Sequence, residues 1–162
     1  QVMPEAQGLD AINCVRRSQD GFQATNTDYL AMGTVYRQLE SQSGPFKAMA
    51  ILGDGSMAKI TEIFFQRSSL PYVKFSRRTV PELDRVDLAQ ALGTGPALVI
   101  NTCAREYVFA GKLPKQCIFW DYNYSLEQHA SRIPAMGATY VDGFSLLEGQ
   151  AIQALAFWGI KR

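Results

Sequence analysis

A short apolar run that ends in a glycine turn and opens a helix is the strongest constraint on this fold. Residues 47–52 (KAMAIL) have the composition of a buried strand, and glycines follow at positions 53 and 55. From Ser56 onward the apolar residues fall on one face of a predicted helix, which Pro71 ends. A strand, a tight turn and a helix begin a β–α–β unit, so the stretch predicts a parallel sheet.

Short apolar runs and amphipathic helices alternate along the rest of the chain. The predicted strands are residues 11–17, 22–26, 47–52, 72–76, 97–102, 116–121 and 138–141. The predicted helices are residues 27–40, 56–70, 86–92, 125–137 and 144–159. Thr27 or Asp28 is expected to cap the first of these helices, and Gly159 to stop the last. The alternation predicts an α/β protein with a Rossmann-like, doubly wound, mostly parallel sheet and helices on both faces.

Composition excludes several classes of protein. Apolar residues make up 47% of the chain and charged residues 19%, which is typical of a globular domain and not of a disordered one. The formal net charge of +1 does not indicate a nucleic-acid partner or a membrane surface. The 3 cysteines have no CxxC spacing, so we expect neither a disulfide framework nor a metal site, and a cytoplasmic location.

The glycine turn fits a phosphate-binding motif. Gly53, Gly55 and Ala58 occupy the three small positions of G-x-G-x-x-G/A, where they allow a tight turn, backbone approach to a pyrophosphate and close helix packing. A glycine-rich turn without a ligand is the competing interpretation. Asp54 is a further difficulty, because a carboxylate in such a turn would repel phosphate unless it points to solvent.

The end of the next predicted strand indicates which dinucleotide would bind. An NAD site would carry an acidic residue there for the ribose hydroxyls, but this chain has Arg77, Arg78 and Thr79, with no acid until Glu82. Two guanidinium groups and a hydroxyl suit the 2′-phosphate of NADP, although a solvated basic turn remains the alternative. The lone histidine, His129, is expected on a helix surface, so a catalytic pair with Cys103 is not predicted.

An ordered set of motifs resembles the shikimate dehydrogenase family, in particular the second half of its members and the divergent shikimate dehydrogenase-like branch. AINC resembles the family's A-V-N-T, NTDYLA its N-T-D-G-x-G, and ILGDGSMAK its glycine motif. SRRT is similar to its N-R-T motif, and DYNY to its Y-D-x-x-Y strand end. DGFSLLEGQA resembles D-G-L-G-M-L-V-x-Q-A position by position.

The resemblance implies roles for individual residues and a reaction. Substrate-binding residues would be Asn13, Asp28, Tyr124 and Gln150, with Asp28 also catalytic. Cofactor-binding residues would be Gly53, Gly55, Ser56, Ala58, Arg77, Arg78, Thr79, Thr102 and Gly143. The reaction would be reversible hydride transfer between NADPH and 3-dehydroshikimate in aromatic amino acid biosynthesis, with a small cyclic hydroxy acid as the partner. Residues 1–26 would be a hinge from a missing N-terminal substrate domain that holds the family's catalytic lysine, and residues 27–162 the NADP-binding domain.

This sequence departs from the family pattern at several positions. The segment NTCAREY stands for the family's N-A-T-P-x-G-M, so Cys103 replaces its threonine and Glu106 its glycine. Two alternatives to an enzyme therefore stay open: a dinucleotide-binding module without turnover, and a degenerate relative that binds no nucleotide. An exposed apolar face where another domain would pack is also expected, and it could support a homodimer.

Overall fold

The computed structural model of this protein describes residues 1–124 and 126–160. Its strands are β1 (Cys14–Ser18), β2 (Gly21–Thr25), β3 (Ala48–Leu52), β4 (Val73–Phe75), β5 (Ala97–Asn101), β6 (Cys117–Asp121) and β7 (Thr139–Val141). Its α-helices are α1 (Thr27–Ser43), α2 (Ser56–Arg67), α3 (Leu88–Leu92), α4 (Glu127–Ala135) and α5 (Phe144–Phe157). The chain divides into two compact units, Gln1–Gln38 with Ser145–Arg162, and Leu39–Phe144. The domain boundary expected at residue 26 stays a prediction.

The first unit is built around the β1–β2 hairpin. The two strands pair antiparallel, from Cys14 opposite Thr25 to Ser18 opposite Gly21. Gly21 has a φ of +121°, a backbone conformation that a residue with a side chain rarely adopts, so glycine suits the return of the hairpin. The N-terminal segment runs beside β2, where the Met3 N–H donates to the Ala24 carbonyl at 2.8 Å.

Helices α1 and α5 approach each other closely within the first unit. A Cβ at Gly149 on α5 would lie 3.0 Å from the Cβ of Ala31 on α1, so the absence of a side chain permits this approach. The end of α5 is tied to the hairpin, since the Trp158 indole N–H donates to the Val15 carbonyl at 3.1 Å. The Arg16 guanidinium also lies 4.7 Å from the centre of the Phe157 ring.

The second unit contains a five-stranded sheet in the order β4-β3-β5-β6-β7. Every neighbouring pair in this sheet is parallel, as the alternation in the sequence predicts. Helices α2 and α3 pack against β3, and α4 packs against β7. The strand residues Leu52, Val99 and Phe119 are fully buried in the core of this unit. The predicted Rossmann-like α/β architecture is therefore confirmed.

Two expectations about single residues are wrong. The first turn of α1 is capped by Asn26, whose Oδ1 accepts the Tyr29 N–H at 2.9 Å, and not by Thr27 or Asp28. His129 is not a surface residue, because its side chain is 0% exposed. The cap is a residue that precedes the predicted helix, and the burial of His129 results from its contacts with Asp121 and the Phe109 N–H. Within residues 1–124 and 126–160, no helix is long and apolar enough to cross a bilayer.

Candidate cofactor and substrate sites

A cavity of about 560 Å³ lies beyond the carboxyl ends of β3, β4 and β5 in the second unit. The order of the strands reverses between β3 and β5, and open α/β sheets bind ligands at such a reversal. Six of the predicted cofactor residues line this cavity: Gly53, Gly55, Ser56, Arg77, Arg78 and Thr102. The fold therefore brings the glycine turn and the two arginines together, although they lie in different loops.

Gly53 is required by the geometry of the turn after β3. Its φ is +117°, and a Cβ there would lie 2.4 Å from the Thr102 hydroxyl. Thr102 cannot move away freely, because its hydroxyl and its N–H both donate to the Leu52 carbonyl, at 2.8 and 2.9 Å. Any side chain at position 53 would therefore disturb the contact between the ends of β3 and β5.

Gly55 leaves open space at the start of α2. A Cβ at this position would meet no atom within 4 Å, and the residue lines the cavity. As the N-cap residue, Gly55 supplies no side chain to the first N–H groups of the helix. Exposed N–H groups and the positive end of the helix dipole suit a phosphate, so this turn has the features that a pyrophosphate needs.

Three further predicted cofactor residues shape the structure but do not line the cavity. Ala58 is fully buried on α2, where a small side chain lets the helix pack closely. The Thr79 hydroxyl accepts the Ser76 N–H at 3.1 Å and closes the turn that carries the arginines. The Gly143 N–H donates to the Asn123 carbonyl at 2.9 Å, and a Cβ at Gly143 would lie 2.3 Å from the Tyr122 carbonyl oxygen.

Asp54 has a partner within its own unit. Its Oδ2 accepts hydrogen bonds from Nε and Nη2 of Arg78, and its Oδ1 lies 3.8 Å from Lys74 Nζ. The hydrogen bond from Arg78 holds the pKa of the Asp54 carboxyl below its usual range. The carboxylate is therefore ionised at neutral pH and directed toward the arginine turn.

Cys103 and Tyr107 also line the cavity. The Tyr107 side chain is almost fully buried, and its hydroxyl donates to the Leu83 carbonyl at 3.0 Å. Burial raises the pKa of the Cys103 thiol to about 11, so the thiol is protonated at neutral pH. Cys103 thus contributes a neutral surface and not a nucleophile.

A buried polar network that the sequence did not predict lies at the ends of β5 and β6. Asp121 Oδ1 accepts from Asn101 Nδ2 at 3.0 Å and from the N–H and Nδ2 of Asn123, at 3.0 and 2.9 Å. Asp121 Oδ2 lies 2.5 Å from His129 Nδ1, and the Phe109 N–H donates to His129 Nε2 at 2.8 Å. Both ring nitrogens are thus engaged, so His129 is not a base for Cys103. The sequence signal was the pair of polar residues, Asn101 and Asp121, that end two neighbouring apolar strands.

Two of the predicted substrate residues are in direct contact in the first unit. Asn13 Nδ2 donates to Asp28 Oδ2 at 2.9 Å, and Asn13 Oδ1 accepts the Thr27 N–H at 2.8 Å. Burial raises the pKa of the Asp28 carboxyl, and the hydrogen bond from Asn13 partly offsets this effect. Asn13 therefore fixes the orientation of a carboxyl group whose pKa is shifted toward neutrality.

The other two predicted substrate residues lie elsewhere. Gln150 is on α5 in the first unit, next to the glycine that contacts α1. Tyr124 belongs to the second unit, where its exposed ring lies 5.5 Å from the Phe144 ring and 5.7 Å from the Arg105 guanidinium. Within the described residues, no group of three or more histidine, cysteine or acidic side chains could hold a metal ion.

Solved structures share this fold over nearly the whole chain. Shikimate dehydrogenase 1 from Peptoclostridium difficile matches 99% of this chain with a TM-score of 0.67 and 18% sequence identity. The chain has the shikimate dehydrogenase fold. The fold that the resemblance to shikimate dehydrogenases implied is therefore confirmed. This chain spans 65% of that dehydrogenase, so about a third of the dehydrogenase lies outside the match.

Two further solved structures, a shikimate 5-dehydrogenase and a 5-ketofructose reductase, share the fold of this chain. Shikimate 5-dehydrogenase from Thermus thermophilus, in complex with NADP(H) and shikimate, matches 97% of this chain with a TM-score of 0.64 and 20% identity, and 65% of its own chain is covered. The ligand-free 5-ketofructose reductase of a Gluconobacter species matches 97% with a TM-score of 0.71 and 18% identity, with 66% of its chain covered. No protein-family model and no curated protein matches this sequence.

Proposed function

We propose that this chain is the cofactor-binding part of an NADP-dependent, shikimate dehydrogenase-like oxidoreductase. The parent protein would interconvert 3-dehydroshikimate and shikimate, or a related pair of cyclic acids. The observation that carries the proposal is the cavity at the strand-order reversal, where the glycine turn faces Arg77 and Arg78. The Thermus thermophilus neighbour, whose structure contains NADP(H) and shikimate, supports the choice of cofactor and substrate class.

The residues that line the cavity fit a dinucleotide with a 2′-phosphate. Gly55 and Ser56 would hold the pyrophosphate through backbone N–H groups at the start of α2. Gly53 would form the tight turn beside the pyrophosphate, since its own N–H donates to the Phe75 carbonyl at 2.9 Å. Arg77 and Arg78 would hold the 2′-phosphate, since guanidinium groups offer paired donors to phosphate oxygens. When bound, NADPH would supply the hydride. Thr102 and Gly143 would border the cofactor, as the family resemblance implies.

Asp28 is the residue we propose for proton transfer. A general acid works best when its pKa lies near the working pH, and burial shifts the pKa of Asp28 in that direction. Asn13 would hold the carboxyl group in one orientation through their 2.9 Å hydrogen bond. The family resemblance also implies a substrate-binding role for Gln150 and for Tyr124.

Calorimetric titration of this chain with NADP and, separately, with NAD tests the cofactor proposal. We expect NADP to bind more tightly than NAD, and we expect the double variant Arg77→Ala, Arg78→Ala to lose that difference. Each bidentate contact between arginine and phosphate contributes about 1.5–3 kcal/mol, so affinity for NADP should fall at least tenfold.

A charge-matched control separates specific contacts from the general field of the protein. The double variant Arg37→Ala, Arg132→Ala removes the same charge from two exposed side chains that do not line the cavity. It should bind both dinucleotides as the unchanged chain does. Equal loss of NADP affinity in the two double variants would contradict the assignment of Arg77 and Arg78.

A second candidate function is a dinucleotide-binding module without turnover. It is favoured by the contacts of Asp28. Among the described residues, its side chain bonds to the neutral amide of Asn13 and makes no ion pair with a lysine, although the family resemblance implies a catalytic lysine. Oxidation of NADPH by the parent protein, followed by absorbance with 3-dehydroshikimate and with 5-ketofructose as separate substrates, distinguishes the two functions. Turnover that Asp28→Asn abolishes would support the enzyme, whereas tight NADP binding without turnover would support the module. The homodimer and the cytoplasmic location stay predictions.

A further inference from the structure

The phosphate-binding turn contains a carboxylate that is already paired with a cofactor-binding arginine. Asp54 lies between Gly53 and Gly55, and it accepts hydrogen bonds from Nε and Nη2 of Arg78. The Arg78 side chain is 79% exposed, so its main protein contact is this carboxylate and the rest of the guanidinium faces solvent. Any phosphate that approaches Arg78 therefore meets a guanidinium whose charge is balanced by Asp54.

The charges that line the cavity sum formally to zero. The cations are Arg77 and Arg78, and the anions are Asp54 and Glu106. Among the described residues, Arg77 makes no hydrogen bond or ion pair, so it is the cation in this lining whose charge lacks a counter-ion in contact. Recognition of a 2′-phosphate depends on positive charge, and this lining provides little in excess.

We infer that Asp54 is a specificity-determining residue that reduces the preference of this site for NADP over NAD. This inference rests on the proposed dinucleotide-binding function. In the free protein Asp54 acts as an internal counter-ion of Arg78. In the complex it competes with the 2′-phosphate for the guanidinium and repels that phosphate. NAD lacks the 2′-phosphate, so it loses nothing at Arg78.

Coulomb's law sets the size of the effect. At a separation of roughly 6 Å in water, one carboxylate lowers the affinity for a phosphate dianion about three- to tenfold at physiological salt. The Arg78 side chain is exposed to solvent, and ion pairs of exposed side chains are individually weak, so displacing the carboxylate from Arg78 changes this factor little. The ratio of the NAD and NADP dissociation constants should therefore change about three- to tenfold when the charge of Asp54 is removed.

The test compares Asp54→Asn with Glu62→Gln by titration with NADP and NAD. Glu62 accepts a hydrogen bond from Lys74 at 2.8 Å, and the same Lys74 Nζ lies 3.8 Å from Asp54 Oδ1. Glu62 does not line the cavity or contact Arg78. Both variants raise the net charge by the same amount. We expect the ratio of the NAD and NADP dissociation constants to rise about three- to tenfold in Asp54→Asn and to change less than about twofold in Glu62→Gln.

Each other outcome overturns the inference in a recognisable way. A lower ratio in Asp54→Asn would mean that the carboxylate positions Arg78 for the phosphate and does not compete with it. An equal rise in both variants would mean that only the net charge matters. An unchanged ratio in a variant that still binds NADP would remove Asp54 from specificity and leave the cofactor proposal intact. Failure of the unchanged chain and of Asp54→Asn to bind either dinucleotide would overturn both proposals.

Discussion

Replacing His129 by leucine tests the buried polar network at the ends of β5 and β6. His129 is fully buried on α4 and joins two segments that are distant in the sequence. Its Nε2 accepts the Phe109 N–H, so the proton of the neutral ring is on Nδ1, which donates to Asp121 Oδ2 at 2.5 Å. Leucine has a similar volume to histidine, so it fills the same space, but it can make neither hydrogen bond.

The free energy of unfolding should fall by about 3 kcal/mol. Loss of a hydrogen bond to an ionised carboxylate typically costs about 1.5–3 kcal/mol. The Phe109 N–H is left without an acceptor in the interior, which costs a further 1–3 kcal/mol, roughly. Better burial of the leucine side chain offsets about 1–2 kcal/mol of the sum. For a chain of this length, a loss of about 3 kcal/mol lowers Tm by about 6–12 °C.

Urea denaturation followed by circular dichroism measures the effect, with Gln128→Leu as the matched control. Gln128 is the exposed neighbour of His129 on α4, so its substitution should change the free energy of unfolding by less than about 0.5 kcal/mol. If His129→Leu were within about 1 kcal/mol of the unchanged chain, the network would not stabilise the fold as argued. An equal loss in both variants would point to the helix surface instead.

Two further predictions concern ionisable groups in the candidate sites. Because burial raises the pKa of Cys103 to about 11, iodoacetamide should alkylate this thiol roughly 100-fold more slowly at pH 8 than a free thiol. NADP should slow the reaction further by covering the cavity. Alkylation as fast as that of free cysteine would contradict the raised pKa. Burial also raises the pKa of Asp28 above its value in the unfolded chain, so protonation of Asp28 stabilises the fold at low pH, and this contribution is lost as pH rises through the folded-state pKa. Asp28→Asn should therefore raise the free energy of unfolding at pH 7 by up to about 1 kcal/mol, and it should give no gain at about pH 3. Urea denaturation at the two pH values measures the difference. A loss of stability at pH 7 would refute the prediction.

Local patterns in the sequence were sufficient to predict where the main strands and α-helices of the fold lie. The apolar run at 47–52 became β3, and the helical pattern after Ser56 became α2. These assignments depend on short-range spacing, since apolar residues in a buried strand or on one helix face lie within a few positions of each other. Glycine and proline at the junctions limited the backbone further, as the φ of +117° at Gly53 illustrates.

The environment of single polar side chains was less accessible to the same reasoning. Helix α4 is short and mostly polar, and His129 was expected on its surface. Its actual partners are Asp121 at the end of β6 and a backbone N–H in the loop that follows β5. Likewise, the Asn26 cap of α1 depends on a side chain just outside the predicted helix, where Asn, Thr and Asp are all suitable caps.

Asp54 separates what the sequence determined from what the tertiary structure decided. The sequence alone determined that a glycine turn follows β3, that two arginines follow β4, and that an acidic residue stands between the glycines. It left open where that carboxylate points, because Asp54 and Arg78 are 24 residues apart along the chain. Only the parallel pairing of β3 with β4 places their carboxyl ends side by side. Hydrogen bonds and ion pairs act over a few ångströms, so this proximity in space, and not the order of residues, gives Asp54 its partner.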